Sequence, residues 1–336
     1  MLTAEARAIR SGVTIWKSFH ILALGVTIVG VTRAQDSAVP PCCARREALA
    51  DAWWTGPMLA NSAATLPPGH VLIEPYFYDV VAGRSNGYGS RAYVLVGLTH
   101  RLTVGFIPIV GFNTVSDGLS SSSVGVGDLT LLAQYGLTQF HTGSRTPAIG
   151  VMVQETFPTG KYDRLGDRPS DGFGSGAYTT TLALNSQTYF WLPNGRILRM
   201  RFDVSGAFSS NANVEDVSVY GTGAGFRGHA EPGSALFADA AWEYSLSRRW
   251  VMALDITYGH NANTRVIRNS VLDPSNASNP TNILLDSGSS DAFGLAPAIE
   301  YNWTANLGVL VGARVIPAGH RTTGTISPAI AINFVH

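Results

Sequence analysis

The sequence predicts an all-β fold, a 12-stranded antiparallel transmembrane β-barrel of the bacterial outer membrane. Three observations predict it. First, the stretch Ile197 to Phe208 alternates. Leu198, Met200, Phe202, Val204, Gly206 and Phe208 share one face, and Arg199, Arg201, Asp203, Ser205 and Ala207 share the other. Successive side chains of a strand point to opposite faces, so this segment has one greasy and one charged face. Second, the pattern recurs about a dozen times, with short and long polar connections in turn, as in barrels that are apolar outside and polar inside. Third, a secretory leader precedes it.

Composition agrees without deciding. Charged residues are 14% of the chain, against about 25% in soluble domains. Gly (36 residues) and aromatics (10%) are abundant. These values also suit a secreted β-sandwich. The zero net charge gives no field that would draw the chain to nucleic acid.

Arg7, Arg10 and Lys17 form a basic leader, Phe19 to Val31 an apolar run, and Thr32-Arg33-Ala34 a cleavage site after Ala34. The reading is 1–34 signal peptide, 35–69 a non-barrel segment and 70–336 barrel. The alternative, an anchor helix, needs a run of about 18–20 apolar residues, which this one lacks. Cys42 and Cys43 are adjacent. They can neither staple distant loops nor give metal-ligand spacing. Arg45–Trp53 is expected to form a short helix, and Asn61–Gly69 a loop, because Pro and Gly cluster there.

The expected strands are Val71–Val80, Arg91–Thr99, Leu102–Phe112, Val124–Leu137, Pro147–Pro158, Gly174–Leu192, Arg196–Ser209, Ala235–Leu246, Arg249–His260, Asp291–Trp303, Asn306–Ile316 and Thr325–Val335. Short connections fall near 99–102, 138–146, 192–196, 246–249 and 303–306. Long ones fall at 81–90, 113–123, 159–173, 210–234, 261–290 and 317–324. Short turns are periplasmic and long loops extracellular, which leaves both chain ends in the periplasm. Asn261–Ser290, the longest, is expected to be mobile and tolerant of an insertion near Asn276. Trp242, Tyr244, Trp250, Tyr301 and Trp303 lie near short turns and would form the periplasmic aromatic girdle. Pro193-Asn194-Gly195 suits a tight hairpin.

A charge on the lipid face near the midplane costs about 2–4 kcal/mol for Arg or Lys. The strand charges are therefore assigned to the lumen: Glu74, Asp128, Glu155, Arg199, Arg201, Asp203, Asp239, Glu243, Asp255, Glu300 and Arg314. They either pair to hold the interior together or form a polar constriction. Their mixed signs predict no strong ion selectivity. No catalytic residue, cofactor or metal is expected. The histidines lie at strand ends without a Ser partner, and Gly221-Thr222-Gly223-Ala224-Gly225 lacks a βαβ context.

Trp54-Thr55-Gly56-Pro57-Met58-Leu59, Pro67-Pro68-Gly69-His70 and Ile73-Glu74-Pro75-Tyr76 resemble the start of the barrel in the phenol-degradation meta-pathway (MetA-pathway) outer-membrane transporter family. Similar too are Gly127-Asp128-Leu129, Glu155-Thr156-Phe157-Pro158-Thr159-Gly160-Lys161-Tyr162-Asp163 and Leu295-Ala296-Pro297-Ala298-Ile299-Glu300-Tyr301. The resemblance runs from about Trp53 to His336. It implies a transporter linked to aromatic catabolism, and no site residue.

The expected function is an outer-membrane channel for small, aromatic or hydrophobic molecules. The alternatives are a non-transporting structural or surface-interaction barrel, and a secreted soluble β-protein. Expected partners are outer-membrane lipid, a small-molecule solute and the barrel-assembly machinery, which Phe334 in the last strand would address. Trp53, Trp54, Met58, Leu59 and Leu66 make 35–69 apolar but not strand-like. Trp53–Leu66 is expected to enter the lumen from the periplasm as a plug, the alternative being a periplasmic tail.

Overall fold

The computed structural model describes residues 46–144, 146–268 and 282–336. The signal peptide, residues 35–45 with Cys42 and Cys43, and Asn276 lie outside the described residues.

The alternating segments fold into β1 (Val71–Ala82), β2 (Ser85–Thr99), β3 (Leu102–Ile107), β4 (Ile109–Val115), β5 (Gly125–Val126), β6 (Leu129–Thr138), β7 (Ala148–Phe157), β8 (Thr179–Trp191), β9 (Ile197–Ser209), β10 (Ala212–Glu215), β11 (Arg227–Glu231), β12 (Ala235–Ser245), β13 (Trp250–Asn261), β14 (Arg265–Arg268), β15 (Asn282–Asp286), β16 (Ser290–Thr304), β17 (Leu307–Ile316) and β18 (Thr325–Val335). Fourteen of these form one antiparallel sheet, and β1 pairs with both β2 and β18, so the sheet closes on itself. Closure leaves no unpaired edge to face lipid. β3 and β4 make one stave, broken at Pro108, which has no N–H to give the ladder. β5 and β6 make another, broken at Gly127–Asp128. Counted so, the barrel has 12 strands.

The wall alternates as the sequence pattern requires. Phe202 is 55% exposed and Arg201 only 8%. Leu236, Met252, Ile256, Phe293 and Ile330 stand outside, while Asp239, Asp255 and Glu300 are buried inside. Trp250 and Tyr301 lie 4.7 Å apart, and Tyr301 and Trp303 5.3 Å apart, as a band beside the short turns.

The expected long connection 81–90 is instead wall. β1 runs to Ala82 and turns through Gly83 and Arg84 into β2, in register from Ala82↔Ser85. The glycines there serve packing: the Tyr78 ring occupies the space that a Cβ on Gly89 would need. Strand β8 starts at Thr179, not at Gly174. The other departure is a four-stranded sheet, β10-β11-β14-β15, built from the two longest connections. It is held by Val214, Phe226, Ala230 and Val266, which bury one another. Where a short helix is expected over Arg45–Trp53, the described residues 46–53 hold a 3₁₀ turn, Leu49–Asp51.

Candidate functional site

Residues 46–69 run against the inner face of the wall. Glu47 is fixed at the rim of short turns, where its carboxylate meets Arg196 at 3.1 Å and accepts the Ser245 hydroxyl at 2.7 Å. Trp191 Nε1 donates to the Glu47 carbonyl at 2.7 Å. Trp53 N–H donates to the Arg248 carbonyl at 2.9 Å, and the Arg248 guanidinium stands 4.6 Å from the Trp53 ring. Trp54 is covered by the Arg199 guanidinium at 4.6 Å and meets Tyr189 edge-on.

Beyond Trp54 the backbone donates to strand carboxylates. Thr55 N–H donates to Glu300 Oε2 at 2.7 Å. Met58, Leu59 and Ala60 donate to Asp255 at 3.0, 3.2 and 3.0 Å. Asn61 donates to Asp203 at 2.5 Å. The segment makes no ladder of its own, so these N–H groups need acceptors. The returning arm uses amides and hydroxyls: Gln134 Nε2 donates to the Ser62 carbonyl at 2.8 Å, and Leu66 N–H to Thr103 Oγ1 at 2.8 Å. Met58 is buried against Ala296, Leu310 and Ala331, with Leu59 beside it. Close approach demands a bare wall: a side chain at Gly308 would run into Thr55 Oγ1 and Asn302 Oδ1.

Asp255 lies five residues beyond Trp250. At ~3.3 Å per residue and a tilt of about 40°, that is roughly 13 Å of height, near the middle of a ~25 Å apolar band. The segment therefore rises from the rim of short turns to about half the height of the wall and returns to Val71.

The assigned charges divide by surroundings. Arg199 forks onto Glu243, and Arg201 approaches the same carboxylate at 3.4 Å while donating to the Ala60 carbonyl at 2.8 Å. Glu74 accepts from Asn333 Nδ2 at 3.1 Å. Asp239 is buried, and neither oxygen has a hydrogen-bond partner among the described residues. Arg314 faces the lumen near Phe237, at 5.8 Å. Asp128 works at the other end. It accepts Gly160 N–H at 2.9 Å, Ser175 N–H at 2.7 Å and Ser175 Oγ at 2.8 Å, tying the 159–178 connection to the mouth. In that connection two donors from Ser122, backbone first and then hydroxyl, hold the Asp171 carboxyl below its ordinary range.

Glu155 is the correction. It pairs across β7–β8 with Thr180 and across β6–β7 with Leu131, in step with the exposed Val151, Val153, Leu182 and Leu184. It is on the outer face, where Thr180 Oγ1 donates to it at 2.6 Å. It stands two residues from the extracellular end of β7, where the cost of an outward acid fades toward zero.

Two cavities flank the segment. One, of about 520 Å³, lies toward the long connections and includes Tyr78, Arg91, Phe237 and Arg314. The other, of about 260 Å³, lies toward the short turns and includes Leu72, Leu95, Leu132 and Asn333. Met58, Leu59, Tyr76, Tyr93 and Met152 border both. Tyr76, Tyr93 and Met152 were not singled out from sequence, although each keeps the inward parity of its strand. The lumen is thus two-sided. The β9, β12, β13 and β16 side holds most of the carboxylates and is bound to the segment, and the β1, β2, β6 and β7 side carries Tyr76, Tyr93, Leu132 and Met152, with Glu74 and Arg91 among them.

No curated protein sequence matches the chain. Among solved structures, it is similar to the COG4313 outer-membrane channel from Pseudomonas putida F1, at 15% identity over 83% of this chain and 100% of that one, with a TM-score of 0.58. It is more distantly similar to the translocator domain of the autotransporter NalP from Neisseria meningitidis (12% identity, 79% and 87% covered, TM-score 0.41). The CymD monoaromatic hydrocarbon channel is similar at 9% identity (80% and 88% covered, TM-score 0.37). The first of these supports the barrel fold. A family model described as "Putative MetA-pathway of phenol degradation" matches residues 57–316, and the chain belongs to that family.

Proposed function

We propose that this chain is an outer-membrane channel for small aromatic or hydrophobic molecules, and that Trp53–Leu66 is a lumen plug which narrows it to one side. The observation that carries this reading is the two-sided lumen. The segment backbone takes up the carboxylates of Asp203, Asp255 and Glu300, and Arg199 and Arg201 take up that of Glu243. The opposite wall carries Tyr76, Tyr93 and Met152, which border the cavities on both sides of the segment. Rings favour edge and offset contacts with an aromatic solute, and Met adapts to irregular shapes. Phe334 is exposed on the last strand, where the assembly machinery would read it.

The test is solute flux. Protein in lipid vesicles should admit benzyl alcohol faster than protein-free vesicles do, and removal of residues 35–61 should enlarge the ionic conductance in planar bilayers. The sheet β10-β11-β14-β15 supports the second reading, a barrel that presents a surface and passes nothing. Flux equal to that of empty vesicles, with the barrel assembled, would favour that reading.

A further inference from the structure

We propose that the upper cavity is a binding site for a small aromatic carboxylate, held by Arg91 and Arg314 against tyrosine and phenylalanine rings. This rests on the conduit reading and narrows its solute class. The cavity, about 520 Å³, is within the roughly 300–1,000 Å³ usual for small-molecule sites. Its walls include the rings of Tyr76, Tyr78, Tyr93 and Phe237.

The two arginines differ from the others near the lumen. Arg199 and Arg201 share Glu243, and Arg196 pairs with Glu47. Arg91 and Arg314 form no ion pair among the described residues, and Arg314 Nε is buried without a hydrogen-bond partner. Arg91 is opposite Tyr76 on β1, and Arg314 is opposite Ser327 on β18. Asp239 and Asp255 act on Arg314 through space without a hydrogen bond to it. Asp203 lines the cavity and gives Oδ2 to the Asn61 N–H. The Asp239 oxygens are sealed from the cavity and make no bond to Arg314.

Two guanidinium groups facing one shielded space repel each other, and an anion between them removes that cost. A carboxylate matches the planar fork of a guanidinium with two parallel hydrogen bonds. The rings then select what the carboxylate carries. A hydrocarbon would leave both cations unanswered, and a sugar acid would leave the rings uncovered.

The test uses the full chain in detergent and titration calorimetry with benzoate and its neutral isostere benzamide. Benzoate should bind about tenfold tighter or more, since hydrogen bonds to charged groups are the strong ones. Arg314→Gln and Arg91→Gln should each remove about tenfold of benzoate affinity and weaken benzamide, whose carbonyl accepts without charge, by clearly less. Arg314→Lys, which keeps charge but loses the fork, should fall between. Cyclohexanecarboxylate should bind more weakly than benzoate if the rings take part. Equal affinity for benzoate and benzamide in the unmodified protein would overturn the proposal without relying on any variant. Flux of both compounds into vesicles, read separately, keeps the two readings apart. If both enter at equal rates and bind equally, the conduit stands and the anion site falls. If neither enters, the conduit reading falls, and the calorimetric difference alone decides the site.

Discussion

Asp255→Ala should free the segment that we propose as a plug. The carboxylate accepts three backbone N–H groups, from Met58, Leu59 and Ala60, in the buried middle of the lumen. Hydrogen bonds to a charged acceptor contribute about 1.5–3 kcal/mol each when the donor is left dry. Here the upper cavity borders Met58 and Leu59, so water can reach the freed donors. About 1 kcal/mol per bond is then appropriate, or about 3 kcal/mol in all. That shifts the balance between seated and displaced segment by roughly 100-fold. Glu300 and Asp203 still hold the two flanks, so the barrel and the ends of the segment should survive. The assay is labelling of Met58→Cys by a water-soluble thiol reagent, with Cys42 and Cys43 replaced by serine. The labelling rate should rise by about the same roughly 100-fold, and Asp255→Asn, which keeps one acceptor oxygen, should give less. An unchanged rate in a barrel that still runs as heat-modifiable would refute the anchoring role.

Three further outcomes are expected. Cysteine at Phe202 should react only with lipid-soluble reagents and cysteine at Arg201 only with water-soluble ones; the reverse would mean a one-residue register slip, which exchanges the faces. Glu155→Leu, on the outer face near the extracellular rim, should leave stability within about 1 kcal/mol, whereas a loss of several would return Glu155 to the lumen. Folding lowers the Asp171 pKa through the Ser122 donors, so its tie to Ser122 contributes above the ordinary value of 3.8 and is lost as pH falls through the lower folded value. The Ser122 amide resonance should therefore titrate with a midpoint below 3.8, and a midpoint at or above it would contradict the tie.

What could be read from the chain follows period and parity. The Ile197–Phe208 alternation gave the facing of β9, and the Leu246–Arg249 and Leu192–Arg196 turns set the neighbouring staves. Glu155 was misplaced because the cost of burying charge in lipid was applied at full strength. The parity of Val151 and Val153 already pointed it outward, and near the rim that cost is small. The hairpin at 83–84 was missed because Gly87 and Gly89 look like loop residues until Tyr78 is seen to need their space. The outer sheet was hidden because β10, β11, β14 and β15 are short and find partners only across two separate connections. The segment Trp53–Leu66 announced its apolarity, but its acceptors come from β9, β13 and β16, far along the chain. No local pattern pairs Met58 with Asp255.

In the proposed conduit, solute passes between the seated segment and the aromatic wall. Ala183→Trp probes that path, because Ala183 lines the upper cavity and packs beside Met152 in the Ile107–Leu132 cluster. An indole there narrows the upper cavity beside Met152. Flux of benzyl alcohol into vesicles should fall to that of protein-free vesicles while the barrel remains assembled. Flux equal to that of the unmodified protein would place the route elsewhere and contradict the account.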